Sequence, residues 1–111
     1  LAVAPDGRVF VLEKNGRVLI VKNDALLSTP FLTMSVDDTN ERGLLGIAFA
    51  PDFAQNPWVY LYFTVAGSNG RNRLIRVGAN GDVADMSSQQ VLLTLEQTWG
   101  SNHNGGAMAF G

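Results

Sequence analysis

The chain has 111 residues, of which 46% are hydrophobic and 16% charged, with a formal net charge of −2. That composition fits one small globular domain and excludes a disordered tail, and the acidic balance excludes the basic patch of a nucleic-acid binder or of a protein held on anionic lipid. The chain has no cysteine, so disulfides, thiolate metal sites and a cysteine nucleophile are excluded, and no apolar run nears the roughly 18 residues of a membrane span.

Leu1 to Ala4 is a short apolar run closed by Pro5-Asp6-Gly7, a turn in which proline presets φ and glycine takes the conformation others resist. Arg8 to Glu13 reads as a strand and Arg17 to Lys22 as its return. Asn15-Gly16 between them is the strongest short hairpin signal. Both strands carry apolar residues at successive positions, the pattern of a sheet covered on both faces. Leu26 to Thr33 holds a short strand interrupted at Pro30, and Val36 to Arg42 is a polar, acidic loop. Gly43 to Ala50 is the next apolar run, ended by the Pro51-Asp52 turn.

Trp58 to Thr64 is the clearest strand, built of aromatic, β-branched and leucine residues. We read Trp58, Tyr60 and Tyr62 as its core residues. Gly67 to Gly70 is a loop, Asn72 to Val77 a strand, Asn80-Gly81 a turn and Gln90 to Leu95 a strand. Glu96 to Gly106 is a loop. No segment keeps a helical period, and about nine short strands separated by turn signals make the chain all-β.

Ala2-Val3-Ala4-Pro5-Asp6 is repeated as Ala48-Phe49-Ala50-Pro51-Asp52, and a third copy begins at Ala107-Met108-Ala109-Phe110. The first interval of about 46 residues is close to one four-stranded propeller blade. Period, strand density and two-sided burial favour a β-propeller over a sandwich or solenoid. The expected layout is a first blade portion over about 1–42, a second blade over 43–100, and a loop with the first strand of the next blade over 101–111. Such a fragment of about two blades should expose apolar faces and open strand edges, so we expect it to need further blades or other copies of the chain.

Ser101-Asn102-His103-Asn104-Gly105-Gly106 holds the sole histidine. Imidazole is the side chain best suited to move protons near neutral pH, and two following glycines allow close backbone approach. Taken by itself, His103 reads as a solvated or turn-capping loop residue ahead of a base. Asp37, Asp38, Asn40 and Glu41 lack the glycine and final glutamate of an EF-hand loop, so they read as a solvated acidic loop rather than a metal site. Gly105-Gly106 lacks the strand, GxGxxG, helix context of a dinucleotide site.

Glu41-Arg42-Gly43-Leu44-Leu45-Gly46-Ile47-Ala48-Phe49-Ala50-Pro51-Asp52-Phe53, the Val59-Tyr60-Leu61-Tyr62 strand and Asn102-His103-Asn104-Gly105-Gly106-Ala107-Met108-Ala109-Phe110-Gly111 together resemble the glucose/sorbosone dehydrogenase family. The resemblance runs nearly end to end. It implies a six-bladed β-propeller that binds pyrroloquinoline quinone (PQQ) with calcium and oxidises an aldose at its anomeric carbon by hydride transfer to the quinone. It implies His103 as the general base. Glu41 and Asn102 would lie at both cofactor and sugar. By their place beside His103, Asn102 and Asn104 can hydrogen-bond the sugar or simply the loop backbone, and Trp99 can stack on a sugar face, though a rim or core aromatic is the safer reading. The calcium ligands and the basic residues that grip the quinone carboxylates are expected outside this chain, so the fragment alone is expected to be inactive. Partners are the aldose and an electron acceptor, and the expected location is periplasmic or secreted. The competing expectation is a non-catalytic binding propeller resembling hedgehog-interacting proteins.

Overall fold

The computed structural model describes residues 2–36, 43–67 and 71–97, with backbone alone for 95–97. Among these residues there are nine strands and no helix, hence none long and apolar enough to cross a membrane. They form two antiparallel sheets. The first contains β1 (Ala2–Val3), β2 (Val9–Leu12), β3 (Arg17–Lys22), β4 (Ala25–Leu26) and β5 (Leu32–Thr33). They run in the order β1-β2-β3-β4, and β5 also pairs with β3. The second sheet is a plain meander of β6 (Leu44–Phe49), β7 (Trp58–Thr64), β8 (Arg71–Asn80) and β9 (Val83–Gln97).

The β2–β3 hairpin forms because Val9 to Leu12 and Val18 to Val21 favour extended backbone, while Gly16, at φ 108°, turns the chain between them. Asn23 and Asp24, with φ of 52° and 63°, make the next tight turn, from β3 into β4. Thr29-Pro30 separates β4 from β5, since proline has no N–H for a ladder.

The repeated motif folds alike in its two described copies. Ala4 N–H donates to the Arg8 carbonyl at 2.8 Å and Ala50 N–H to that of Trp58 at 3.0 Å. Gly7 and Phe53 then donate back to the Ala4 and Ala50 carbonyls, at 2.9 and 3.1 Å. Both alanines are buried, because each closes its strand beneath a turn.

The sheets pack face to face around one core. Phe10, Val18, Ile20 and Phe31 of the first meet Val59, Leu61, Phe63, Ile75 and Val77 of the second. The Phe10 ring meets Phe31 and Phe49 edge-on, with centroids 5.1 and 5.0 Å apart. Packed antiparallel meanders of this kind are the material of a β-propeller.

The strand register corrects one reading. Side chains alternate across a strand, and it is Val59, Leu61 and Phe63 that fill the core. Trp58, Tyr60 and Tyr62 lie half-buried on the far face of the second sheet. There the Arg76 guanidinium stacks 4.2 Å from the Trp58 ring centroid. Strand β9 is exposed along Val91, Leu92 and Leu93, so apolar side chains meet solvent at this edge, as the sequence led us to expect.

Candidate functional site

Five residues singled out from sequence, Glu41, Trp99, Asn102, His103 and Asn104, lie outside the described residues. So do Asp37, Asp38 and Asn40. The strands that bear these segments are described, and their register fixes where each segment joins the fold. Leu44 pairs with Phe63, Thr64 with Asn72, and Arg71 with Gln97. The start of β6 and the end of β9 therefore lie at one end of the second sheet. In the sequence Glu41 precedes Gly43 by two positions and His103 follows Gln97 by six.

That end is closed by neutral, buried hydrogen bonds. Thr64 and Asn72 are 0% and 1% exposed, the only buried polar side chains among the described residues. The Thr64 hydroxyl donates to Asn72 Oδ1 at 2.7 Å, and Asn72 Nδ2 donates to the Tyr62 hydroxyl at 3.1 Å. Thr64 N–H donates to the Gly43 carbonyl at 2.9 Å, and Gly43 N–H reaches Thr64 Oγ1 at 3.5 Å.

The first sheet holds Gly43 from the other side. Leu44 N–H donates to the Lys14 carbonyl at 3.2 Å, and a Cβ on Gly43 would meet that oxygen at 2.5 Å. Gly43 also has φ 135°, so only glycine fits without strain. The same turn holds the other side of the acidic loop: Met34 N–H donates to the Gly16 carbonyl at 3.0 Å. Val36 then bridges to Val65. The loop carrying Glu41 is thus fastened on both sides by one hairpin turn and one strand end.

The opposite end is ionic. Arg8 Nε donates to Asp6 Oδ2 at 2.9 Å, and Arg8 Nη1 to the Gly81 carbonyl at 2.6 Å and to Asp82 Oδ1 at 3.1 Å. Lys22 Nζ lies 3.1 Å from Asp82 Oδ2. The Arg8 guanidinium also lies 5.3 Å from the Phe10 ring centroid and 5.9 Å from that of Phe53. Partial burial pushes the Asp6 carboxyl up, but its hydrogen bonds and attraction to Arg8 outweigh that and hold it below its usual range. Asp82 is lowered first by its hydrogen bond to Lys22, against partial burial, and further by Arg8.

A cavity of about 750 Å³ opens here, lined by Arg8, Lys22, Phe53, Pro57, Ala79 and Asp82 among others. Its two cations and two anions already pair with one another, so a ligand would have to displace protein partners. Among the described residues no three His, Cys, Asp or Glu side chains group to hold a metal.

The sequence reading missed Thr64, Asn72 and the Arg8 cluster. From sequence, Thr64 and Asn72 read only as the facing ends of two strands. Only strand register brings them face to face.

Comparison with known proteins covers both ends. The glucose/sorbosone dehydrogenase family model matches residues 1–111. A crystal structure from Thermus thermophilus, assigned as an oxidoreductase (glucose dehydrogenase), superposes with a TM-score of 0.76 at 31% identity. The match covers 89% of this chain and 29% of that one, so the chain spans less than a third of its solved relative.

Proposed function

The chain belongs to the glucose/sorbosone dehydrogenase family, and from that premise we propose that it is the sugar-facing part of a PQQ-dependent aldose dehydrogenase. The family supports a sugar oxidoreductase in general; the cofactor, the base and the six-bladed ring are our reading. One observation supports it: β6, which follows Glu41 in the chain, begins at the end of the second sheet where β9, which precedes His103, finishes.

In this reading the aldose loses a hydride from its anomeric carbon and a proton from that carbon's hydroxyl, and leaves as the lactone. His103 takes the proton, which lowers the barrier to hydride departure. Glu41 accepts hydrogen bonds from sugar hydroxyls, Asn102 and Asn104 donate to the sugar, and Trp99 stacks on its face. PQQ, when bound, supplies the two-electron acceptor, which an external electron acceptor then reoxidises.

The chemistry of the donor set fits that group in part. Amides such as Asn102 can donate to quinone carbonyls and carboxylates, whereas Glu41, itself anionic, suits the sugar better. In this reading both calcium and the cations that grip the quinone belong to other blades of a six-bladed ring. Those blades would also cover the exposed stripe on β9. We place the protein in the periplasm or outside the cell.

The test is the full-length protein loaded with PQQ and calcium, given aldoses and an electron-accepting dye. Aldose-dependent dye reduction that His103→Gln abolishes is expected. No reduction by the wild type would instead leave a non-catalytic binding propeller.

A further inference from the structure

We infer that Thr64 and Asn72 are positioning residues for the sugar-oxidising end, acting through the Gly43 backbone on the segment that carries Glu41. The inference rests on the function proposed above for its catalytic consequence, and on geometry alone for its structural part.

The hydrogen bonds run in one direction. Gly43 N–H points to Thr64 Oγ1, the Thr64 hydroxyl gives its proton to Asn72 Oδ1, and the Asn72 amide donates to the Tyr62 hydroxyl. Thr64 has a single hydroxyl proton, so giving it to Asn72 leaves its lone pairs for Gly43. Asn72 thereby sets the orientation of the Thr64 oxygen, and that oxygen with the Thr64 amide sets the Gly43 peptide on both sides. Across the gap the Lys14 carbonyl stands close enough to forbid a Cβ. The peptide two residues after Glu41 is therefore held between a neutral side-chain pair and a backbone carbonyl.

Two apolar side chains of similar shape at a buried, mutually bonded pair are often no worse for folding than the polar originals. Burying a hydroxyl and an amide instead fixes direction, which apolar packing does not. A site that must hold a sugar hydroxyl within hydrogen-bond reach needs that direction, since misplacement by about 1 Å can cost on the order of 100-fold.

The experiment compares wild type, Thr64→Ser, Thr64→Val and the double variant Thr64→Val/Asn72→Leu in the full-length protein. The first readout is amide hydrogen exchange over residues 43–46. We expect exchange there at least about ten-fold faster in both Val variants and wild-type in Thr64→Ser, with the Phe10–Ile20 hairpin unchanged. The second readout is steady-state kinetics with PQQ, calcium and aldose. We expect KM raised about ten-fold in the Val variants with kcat changed far less, and Thr64→Ser restoring wild-type values.

The Phe10–Ile20 hairpin separates positioning from stability, because a variant that only destabilised the fold would speed exchange there as well. Wild-type exchange and wild-type KM in a folded double variant would overturn the inference. If the wild type oxidises no aldose, the function proposed above falls while exchange still decides the positioning: faster exchange in the Val variants supports it, and unchanged exchange overturns it.

Discussion

The two ends of this pair of sheets are closed by different chemistry. At one end Arg8, Asp6, Asp82 and Lys22 bridge the sheets through ion pairs at the protein surface. At the other, Thr64, Asn72 and Tyr62 form a neutral chain, with Thr64 and Asn72 fully buried, around the Gly43 backbone. Charges at a surface tolerate small displacements, since Coulomb attraction falls slowly with distance and water fills the gaps. Buried neutral hydrogen bonds do not, because an unmatched partner there has no water to turn to. The ionic end can act as a staple that needs no exact geometry. The neutral end is where geometry is kept, and the segments bearing Glu41 and His103 join the fold there.

The comparison can be broken most forcefully at what the ends share. Phe10 is fully buried between the sheets, touching Phe31 and Phe49 edge-on. Phe10→Ala should cost about 3–5 kcal/mol of unfolding free energy in urea, with both ends loosened together. A change confined to one end would mean that the sheets do not share a core.

Gly43→Ala sharpens the contrast. The new Cβ meets the Lys14 carbonyl oxygen at 2.5 Å on a backbone of φ 135°, so something must move, at a cost of about 1–3 kcal/mol. Gly81→Ala is the matching change at the ionic end, where φ is 65° but a Cβ meets nothing within 4 Å. It should destabilise less than Gly43→Ala in the same urea titration. Equal losses would show that conformation alone, and not the close approach of Lys14, sets the demand at Gly43.

The smallest effects are those of acid and salt on the ionic end. The folded Asp6 and Asp82 carboxyls titrate below the ordinary value of 3.8. Their contribution is therefore complete above that value and is lost as pH falls through the lower folded values. Asp82→Asn should lower the melting temperature slightly at pH 7 and flatten its fall on acidification. Added salt should narrow the difference between variant and wild type. Thr64→Val, by contrast, should show a salt-independent loss, since its partners are neutral and buried.

Much of this fold is legible in the residues. Val9 to Leu12, Arg17 to Lys22 and Trp58 to Thr64 read as strands because β-branched and aromatic residues dominate them, and the turn at Gly16 follows from Asn15-Gly16. The last hairpin is less legible. Strands β8 and β9 extend well beyond Asn72–Val77 and Gln90–Leu95. Gly78, Ala79 and the polar run from Asp85 to Gln89 have weak strand propensity, and pairing across the hairpin overrides it. Its turn is Gly81-Asp82 rather than Asn80-Gly81, because Asn80 pairs with Val83.

Which face Trp58, Tyr60 and Tyr62 take depends on what packs on each side, and composition does not carry that. Thr64 opposite Asn72 is likewise a product of register. The roles proposed for Glu41 and Asn102 come from the family motif, His103 also stands out as the sole histidine, and Asn104 and Trp99 by their place beside it; all five lie outside the described residues.

The most direct measurement sets the proposed base beside a residue of the ionic end: aldose-dependent dye reduction by the full-length protein with PQQ and calcium, in His103→Gln and in Asp82→Asn. Loss of a general base should cost about 100-fold or more in kcat/KM, while Asp82→Asn should stay within about two-fold of wild type, as surface changes distant from the chemistry do. A His103→Gln protein that turns over aldose as fast as Asp82→Asn would contradict the account.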